Sequence, residues 1–312
     1  MRNIYFILFF IFPLVVFAEE FQQYCTTSLA EGNFNKTDCS IKSKFEGKEY
    51  CFGNKASQSI FVDDPMEVIQ LANNFFNKST SSDRKKITQE DAMIALDDPD
   101  CDFSNMDAGY LDFKGKDLTH CIMINTSFFG ADLRGANLSG ANLQRAYLNL
   151  ARLEDAKFIG SNLAGATIFQ PIFGNTSFKS ANLANARVIG TLGKVDMSSA
   201  IITQGRFGLD VGNQPMGQMK FDSSGGNFSK SNFQGADLNI ASFIFGNLQG
   251  ANLSNTNLYR AELIQADLTG ADLTGADLTD ADVDGANFKD VIGLDTVKGF
   301  NSVKGKCKNC GM

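Results

Sequence analysis

The sequence predicts an all-β solenoid whose backbone turns a corner every five residues. Three observations carry that expectation. Large apolar residues recur in steps of five from Phe103 to Val188 and again from Phe228 to Phe288. Of these 31 blocks only the one centred on Ala108 lacks such a residue, so chance composition does not account for the period. Two positions before the centre, 27 of the 31 residues are Ala, Gly, Ser, Thr or Cys, which suits a narrow interior. The residue between is mostly Asp or Asn, as at Asp132, Asn137 and Asp272.

Neither regular element accommodates a period of five. On an α-helix that step rotates about 140° and scatters the leucines around the cylinder. On a flat strand an odd step sends consecutive leucines to opposite faces. A coil that bends at each block keeps one stripe inward and stacks at about 4.8 Å per level. Gly, Ser, Asn and Asp suit the corners. Proline removes a donor from the ladder, in keeping with 5 prolines among 312 residues.

The blocks Ala131-Asp-Leu-Arg-Gly, Ala136-Asn-Leu-Ser-Gly and Ala271-Asp-Leu-Thr-Gly resemble the pentapeptide-repeat proteins, whose motif is A(D/N)LXX. The resemblance implies a right-handed quadrilateral β-helix, four blocks to a coil. It implies no catalytic residue and no cofactor.

Taken in chain order, Arg2, the apolar run Ile4–Phe17 and Ala18 describe a signal peptide over residues 1–18. That run is too short for a span needing about 20 residues, so no stable membrane insertion is expected after cleavage. Residues 19–62 hold Cys25, Cys39 and Cys51 and are read as a small polar region with little core of its own. Residues 63–100 are read as a helical cover for the open N-terminal edge of the coil, a template that proteins must shield. One helix is expected over Met66–Phe76, with Val68, Leu71, Ala72 and Phe75 on one face. A second follows the Thr88/Asp91 capping box and stops before Pro99.

The repeat then fills residues 101–208, with one coil (Met197, Ile202, Phe207) set one residue out of phase. Residues 209–226 are expected as an extruded loop whose Met216, Met219 and Phe221 offer a contact patch. The repeat resumes over 227–290, and 291–312 form a tail with a CxxC.

Charge excludes one class of partner and suggests another. Lys plus Arg is 28 against 35 for Asp plus Glu, giving −7; nucleic-acid backbones call for the opposite sign. From Thr126 to Gly190 the balance is +3, whereas from Ala261 to Asp290 eight acids face Lys289 alone. Asp267, Asp272, Asp277 and Asp282 would fall on four successive sides as an acidic collar able to meet a basic partner.

Seven cysteines in an exported chain point to disulfides, with the odd one left free or paired between chains. Cys101 and Cys121, twenty residues apart, stack on adjacent coils. The thiol reading is preferred there, because parallel side chains suit a bridge less well. Cys307 and Cys310 read as a structural disulfide, with an N-terminal cysteine as one possible partner. The only histidine, His120, reads as an exposed corner residue.

The functional expectation is a non-enzymatic, exported scaffold that binds an unidentified protein, without cofactor or metal. Two alternatives follow. One is the gyrase-binding DNA mimicry that the family resemblance implies. The other is thiol-redox or metal chemistry at the CxxC.

Overall fold

Parallel backbone pairing at a separation of twenty residues organises the chain beyond residue 100. Asp102 pairs with Ile122, Ile122 with Asn142 and Asn142 with Asn162. Three further ladders repeat this from Asp107, Asp112 and Asp117. Four five-residue blocks therefore return the backbone to the same side one level on. The first ladder has ten levels from Asp102 to Ile292, roughly 43 Å at about 4.8 Å each. The computed structural model describes residues 25–31, 37–80, 84–209 and 219–311. The leader expected over 1–18 and Met216 lie outside them, as does the side chain of Phe75. Two units are distinguished, one ending at Asn77 and the other beginning at Lys78.

The block chemistry explains the larger unit. Central residues such as Leu133, Leu138, Phe158 and Leu268 are fully buried with the small residues before them, Ala131, Ala136, Ala156 and Ala266. All belong to one apolar core. The Asp or Asn between them closes a local turn by accepting the N–H two residues on, as Asp112 does from Lys114 at 2.8 Å and Asp272 from Thr274 at 2.9 Å. Both residue types make this bond because each presents a carbonyl-type oxygen at the same reach.

Corner residues adopt the left-handed conformation. Glycine takes many of these positions, but Ile240 has φ +60°. A β-branched side chain is strained there, by about 1–2 kcal/mol. Ile240→Asn is expected to raise stability by roughly 1 kcal/mol, because asparagine tolerates this conformation. A denaturant midpoint that stays put or falls would contradict that expectation.

Two irregularities shift the count. Ser177, Asn182 and Arg187 pair with Asp196, Ile201 and Arg206, a step of nineteen. Met197, Ile202 and Phe207 are thereby fully buried. Asp196, Ile201 and Arg206 then pair with Asn227, Asn232 and Asp237, a step of thirty-one, eleven more than a full coil. The excess is smaller than the loop expected over 209–226. Phe221–Asp222 already pair with Gly190–Thr191, and Gly225 N–H bonds Ile244 O at 2.7 Å.

The last coil changes its block length. Asp272, Asp277 and Asp282 pair with Ile292, Lys298 and Lys304, the latter three spaced by six. Leu294–Thr296 and Phe300–Ser302 form 3-10 turns, each closed by a hydroxyl: Thr296 Oγ1 donates to Gly293 O and Ser302 Oγ to Gly299 O. Leu294, Val297, Phe300 and Val303 pack on the core. The expected tail is thus a further coil, closed by a Cys307–Cys310 disulfide within itself rather than to an N-terminal cysteine.

Cys101 and Cys121 also form a disulfide, with Cα atoms 4.6 Å apart, and the thiol reading is corrected. Cys101 enters its coil from a turn, its N–H bonded to Asp98 O at 3.1 Å. The stacking of adjacent levels itself brings the two Cα atoms into the range a disulfide spans.

The smaller unit contains α1 (Thr26–Ala30), β1 (Ile41–Phe45), β2 (Lys48–Phe52), α2 (Lys55–Asp63) and α3 (Pro65–Thr80). β1 and β2 form an antiparallel hairpin whose two-residue turn, Glu46-Gly47, has φ +47° and +80°, the sign at both positions that matches strand twist. Cys39 and Cys51 are bridged, and Cys25 is a buried free thiol. Contrary to expectation the unit has its own core of Leu29, Tyr50, Phe52, Phe61, Val68 and Ala72. Helix α3 therefore commits Val68 and Ala72 to that core, and Leu71 points outward, 46% exposed.

The larger unit opens with β3 (Lys85–Lys86), parallel to β4 (Met106–Asp107), and α4 (Gln89–Leu96). Thr88 and Asp91 make the expected capping box, and Ala92, Met93, Ala95 and Leu96 lie against the coil core. The remaining short strands are β5 (Thr167–Phe169), β6 (Arg187–Thr191) and β7 (Phe221–Asp222). Among the described residues no helix is long and apolar enough to cross a membrane.

Candidate functional site

The residues singled out from sequence do not converge. Phe221, expected in a contact patch, is fully buried, with ring centroids 5.1 Å from Phe207 and 5.5 Å from Phe243. It takes the small-residue position of its block, ahead of the ladder residue Asp222 and the buried Ser223 at the centre, so the large ring fills the interior where the coil resumes. Met219 is half-buried.

The four acidic residues do lie on four successive ladders, but they are not the end of the coil. Lys298 and Lys304 stack one level beyond Asp277 and Asp282, Lys308 lies two levels beyond Asp267, and Lys298 Nζ meets Asp277 Oδ2 at 2.7 Å. Their carboxylates also serve the turns: Asp267 accepts from Thr269 N–H at 3.0 Å and Asp282 from Asp284 N–H at 3.1 Å.

These bonds show in the acidities. Burial pushes the Asp267 carboxyl up, but donors from Thr269, Gln249 and Asn287 outweigh it and hold it below the ordinary 3.8. Asp277 is likewise lowered: Lys298 and Thr279 overcome burial. A carboxylate depressed on folding stabilises above its unfolded value and loses that contribution as pH falls through the lower folded one. Melting temperature should therefore be nearly flat above about pH 5 and drop below about pH 4. Thermal melts on both sides of those limits, from about pH 6 down to about pH 3, test this, and Lys298→Met should reduce the drop.

A different surface brings chemistry together. The second ladder, extended by Lys86, carries Asp107, Ser127, Tyr147, Thr167, Arg187 and Arg206 on successive levels, all but Ser127 at least partly exposed. Beside it stand Tyr110, Phe129 and Phe169. Tyr110 is 76% exposed and meets Phe129 edge to face at 5.5 Å. Its ring lies over Gly130, where an added Cβ would come 2.7 Å from Tyr110 Cε1. A side chain at 130 would lift the ring away.

Cations interleave with these rings. The Arg84 guanidinium sits 4.1 Å from the Tyr147 ring centroid, and Arg187 5.2 Å from that of Phe169. Arg84 is fixed from behind: Nε donates to Asn125 O at 2.7 Å and Nη2 to Asn125 Oδ1 at 2.9 Å. Asn125 is itself buried and donates to Asn105 Oδ1 at 2.8 Å. A concavity of about 370 Å³ lies between Arg84, Lys86, Tyr110, Phe129 and Tyr147. Its preset rings and planar cation suit recognition more than bond-breaking, since exposed aromatics and Arg contribute disproportionately to binding.

This surface was missed from sequence because its members are invisible at a period of five. Aligning the chain at twenty residues per turn puts Phe129 and Phe169 in one column, with Tyr110 one residue to one side of it and Tyr147 two residues to the other, and that was the available signal. Arg84 lies outside the repeat and gave none.

The family model for pentapeptide repeats matches in 8 copies over residues 100–135, 136–170, 224–258 and 256–292. Such proteins fold as right-handed quadrilateral β-helices. Among solved structures, HetL, involved in heterocyst differentiation regulation in the cyanobacterium Nostoc, is 24% identical over 64% of this chain and 86% of its own, with a TM-score of 0.26. A pentapeptide repeat protein of the Arabidopsis thaliana thylakoid lumen is 29% identical over 31% and 56%, with a TM-score of 0.23. A trypsin-treated form of QnrB1, a plasmid-mediated fluoroquinolone resistance protein, is 19% identical over 65% and 87%, with a TM-score of 0.30. No curated protein matches.

Proposed function

Because the chain belongs to the pentapeptide-repeat family, we propose that it is a non-enzymatic binding scaffold which recognises a protein partner through the aromatic and cationic side of its first five levels. The observation that carries this reading is Arg84, held by Asn125 and stacked on Tyr147 beside the exposed Tyr110. A guanidinium and rings fixed before binding lose little entropy when a partner arrives. Three disulfides and the leader expected over 1–18 support a working place outside the cytoplasm. β3 and α4 would shield the first coil edge.

A photo-crosslinking residue placed at Tyr110 tests the reading against one at Ile159, also exposed at 41%. A single adduct from position 110 that disappears with Tyr147→Ala supports it. Equal yields from both positions, or none from 110, exclude it.

A further inference from the structure

Cys101, His120 and Cys121 each offer one ligand atom, all within 4.8 Å of one another. We propose that they form a redox-gated site for a thiophilic divalent cation of the zinc type, closed while the Cys101–Cys121 disulfide is intact and opened by a dithiol reductant.

The geometry needs little adjustment. The two Cα atoms are 4.6 Å apart across adjacent levels, and His120 Nε2 is 4.0 Å from Cys121 Sγ. Zinc at about 2.3 Å from sulfur and about 2.1 Å from nitrogen requires ligand separations of roughly 3.6–3.8 Å. Once the S–S bond is broken the sulfurs can part to that distance while the ladder stays intact. Both cysteines are almost wholly buried and His120 is exposed, so the ion would have thiolates behind it and solvent in front. A concavity of about 380 Å³ bounded by Leu96, Asp97, Lys116, Asp117 and His120 leads to that side. It leaves the fourth position for water, and Asp117 adds negative charge along the approach.

The opening step is balanced. The reductant's two thiols give up two electrons and two protons and become its disulfide; the Cys101–Cys121 bond breaks and each sulfur is protonated. Metal binding then releases those two protons to solvent, and neutral His120 donates its ring nitrogen lone pair.

His120 is the only histidine in the chain, so its imidazole proton resonances report this site alone. The full-length mature protein, reduced anaerobically with a dithiol that is then removed, is titrated with Zn²⁺ and compared with the oxidised protein. The expected result is a His120 shift saturating at one equivalent in the reduced protein and no shift in the oxidised one. In a reduced Cys307→Ser/Cys310→Ser background, His120→Gln should weaken zinc binding at least tenfold against a chromophoric chelator. The proposal is overturned by no shift in the reduced protein, the same shift in the oxidised protein, or loss of the β-sheet circular dichroism on reduction before zinc is added. An unchanged affinity in His120→Gln would do so as well.

Discussion

Phe158→Ala is expected to lower unfolding free energy by about 3–5 kcal/mol, the usual loss when a buried aromatic becomes a cavity. Phe158 is fully enclosed and lies face to face with Phe178 one level away, ring centroids 4.7 Å apart. The coil wall is tied by backbone bonds on both neighbouring levels, so it has little freedom to collapse into the gap. Repeat folds distribute stability between adjacent units, and the damage should therefore be graded along the coil. Hydrogen exchange should speed up at Leu138 and Gly160, whose N–H groups bond Lys157 O at 2.7 Å and Lys179 O at 2.9 Å. Leu268, far along the ladder, should keep its protection. Uniform loss across all levels would mean that the coil melts as one block.

The second large effect is expected at Gly299→Ala. Gly299 has φ +72°, and an added Cβ would lie 2.1 Å from Thr279 Oγ1 and 2.5 Å from Thr279 Cα. The backbone atom cannot swing aside. Left-handed strain of about 1–2 kcal/mol adds to overpacking of about 1–3 kcal/mol. The terminal coil should detach, exposing Lys298 and Lys304 N–H groups that now bond Ala276 and Ala281 O at 2.8 Å. Gly311→Ala is the control: φ is +70° but no atom lies within 4 Å of the added carbon. Equal exchange rates in the two variants would refute the steric argument.

The coil itself was legible because one physical constraint, an inward stripe at period five, repeats many times over. Leu133, Leu138, Leu143 and Leu148 needed no neighbour from outside the repeat to be placed, and all four are fully buried. The N-terminal core was not legible. Tyr50, Phe52 and Phe61 come from a hairpin and a nine-residue helix whose apolar residues are too few to show a period. The last coil was hidden for another reason: its glycines, Gly293, Gly299 and Gly305, repeat at six, a rhythm that a search at five passes over. The aromatic side of the coil is a tertiary fact. Tyr110, Phe129 and Tyr147 are each ordinary within their own block, and only the stacking of levels makes them neighbours.

The change from five to six residues per side at the C-terminus bears on how the molecule avoids growing into fibrils. A second chain adding its first coil there would meet a perimeter wider than its own on the sides reached through Lys298 and Lys304. If it matched hydrogen bonds along one side, its register would slip on the next. Elongation by edge-on addition is thereby frustrated by arithmetic alone.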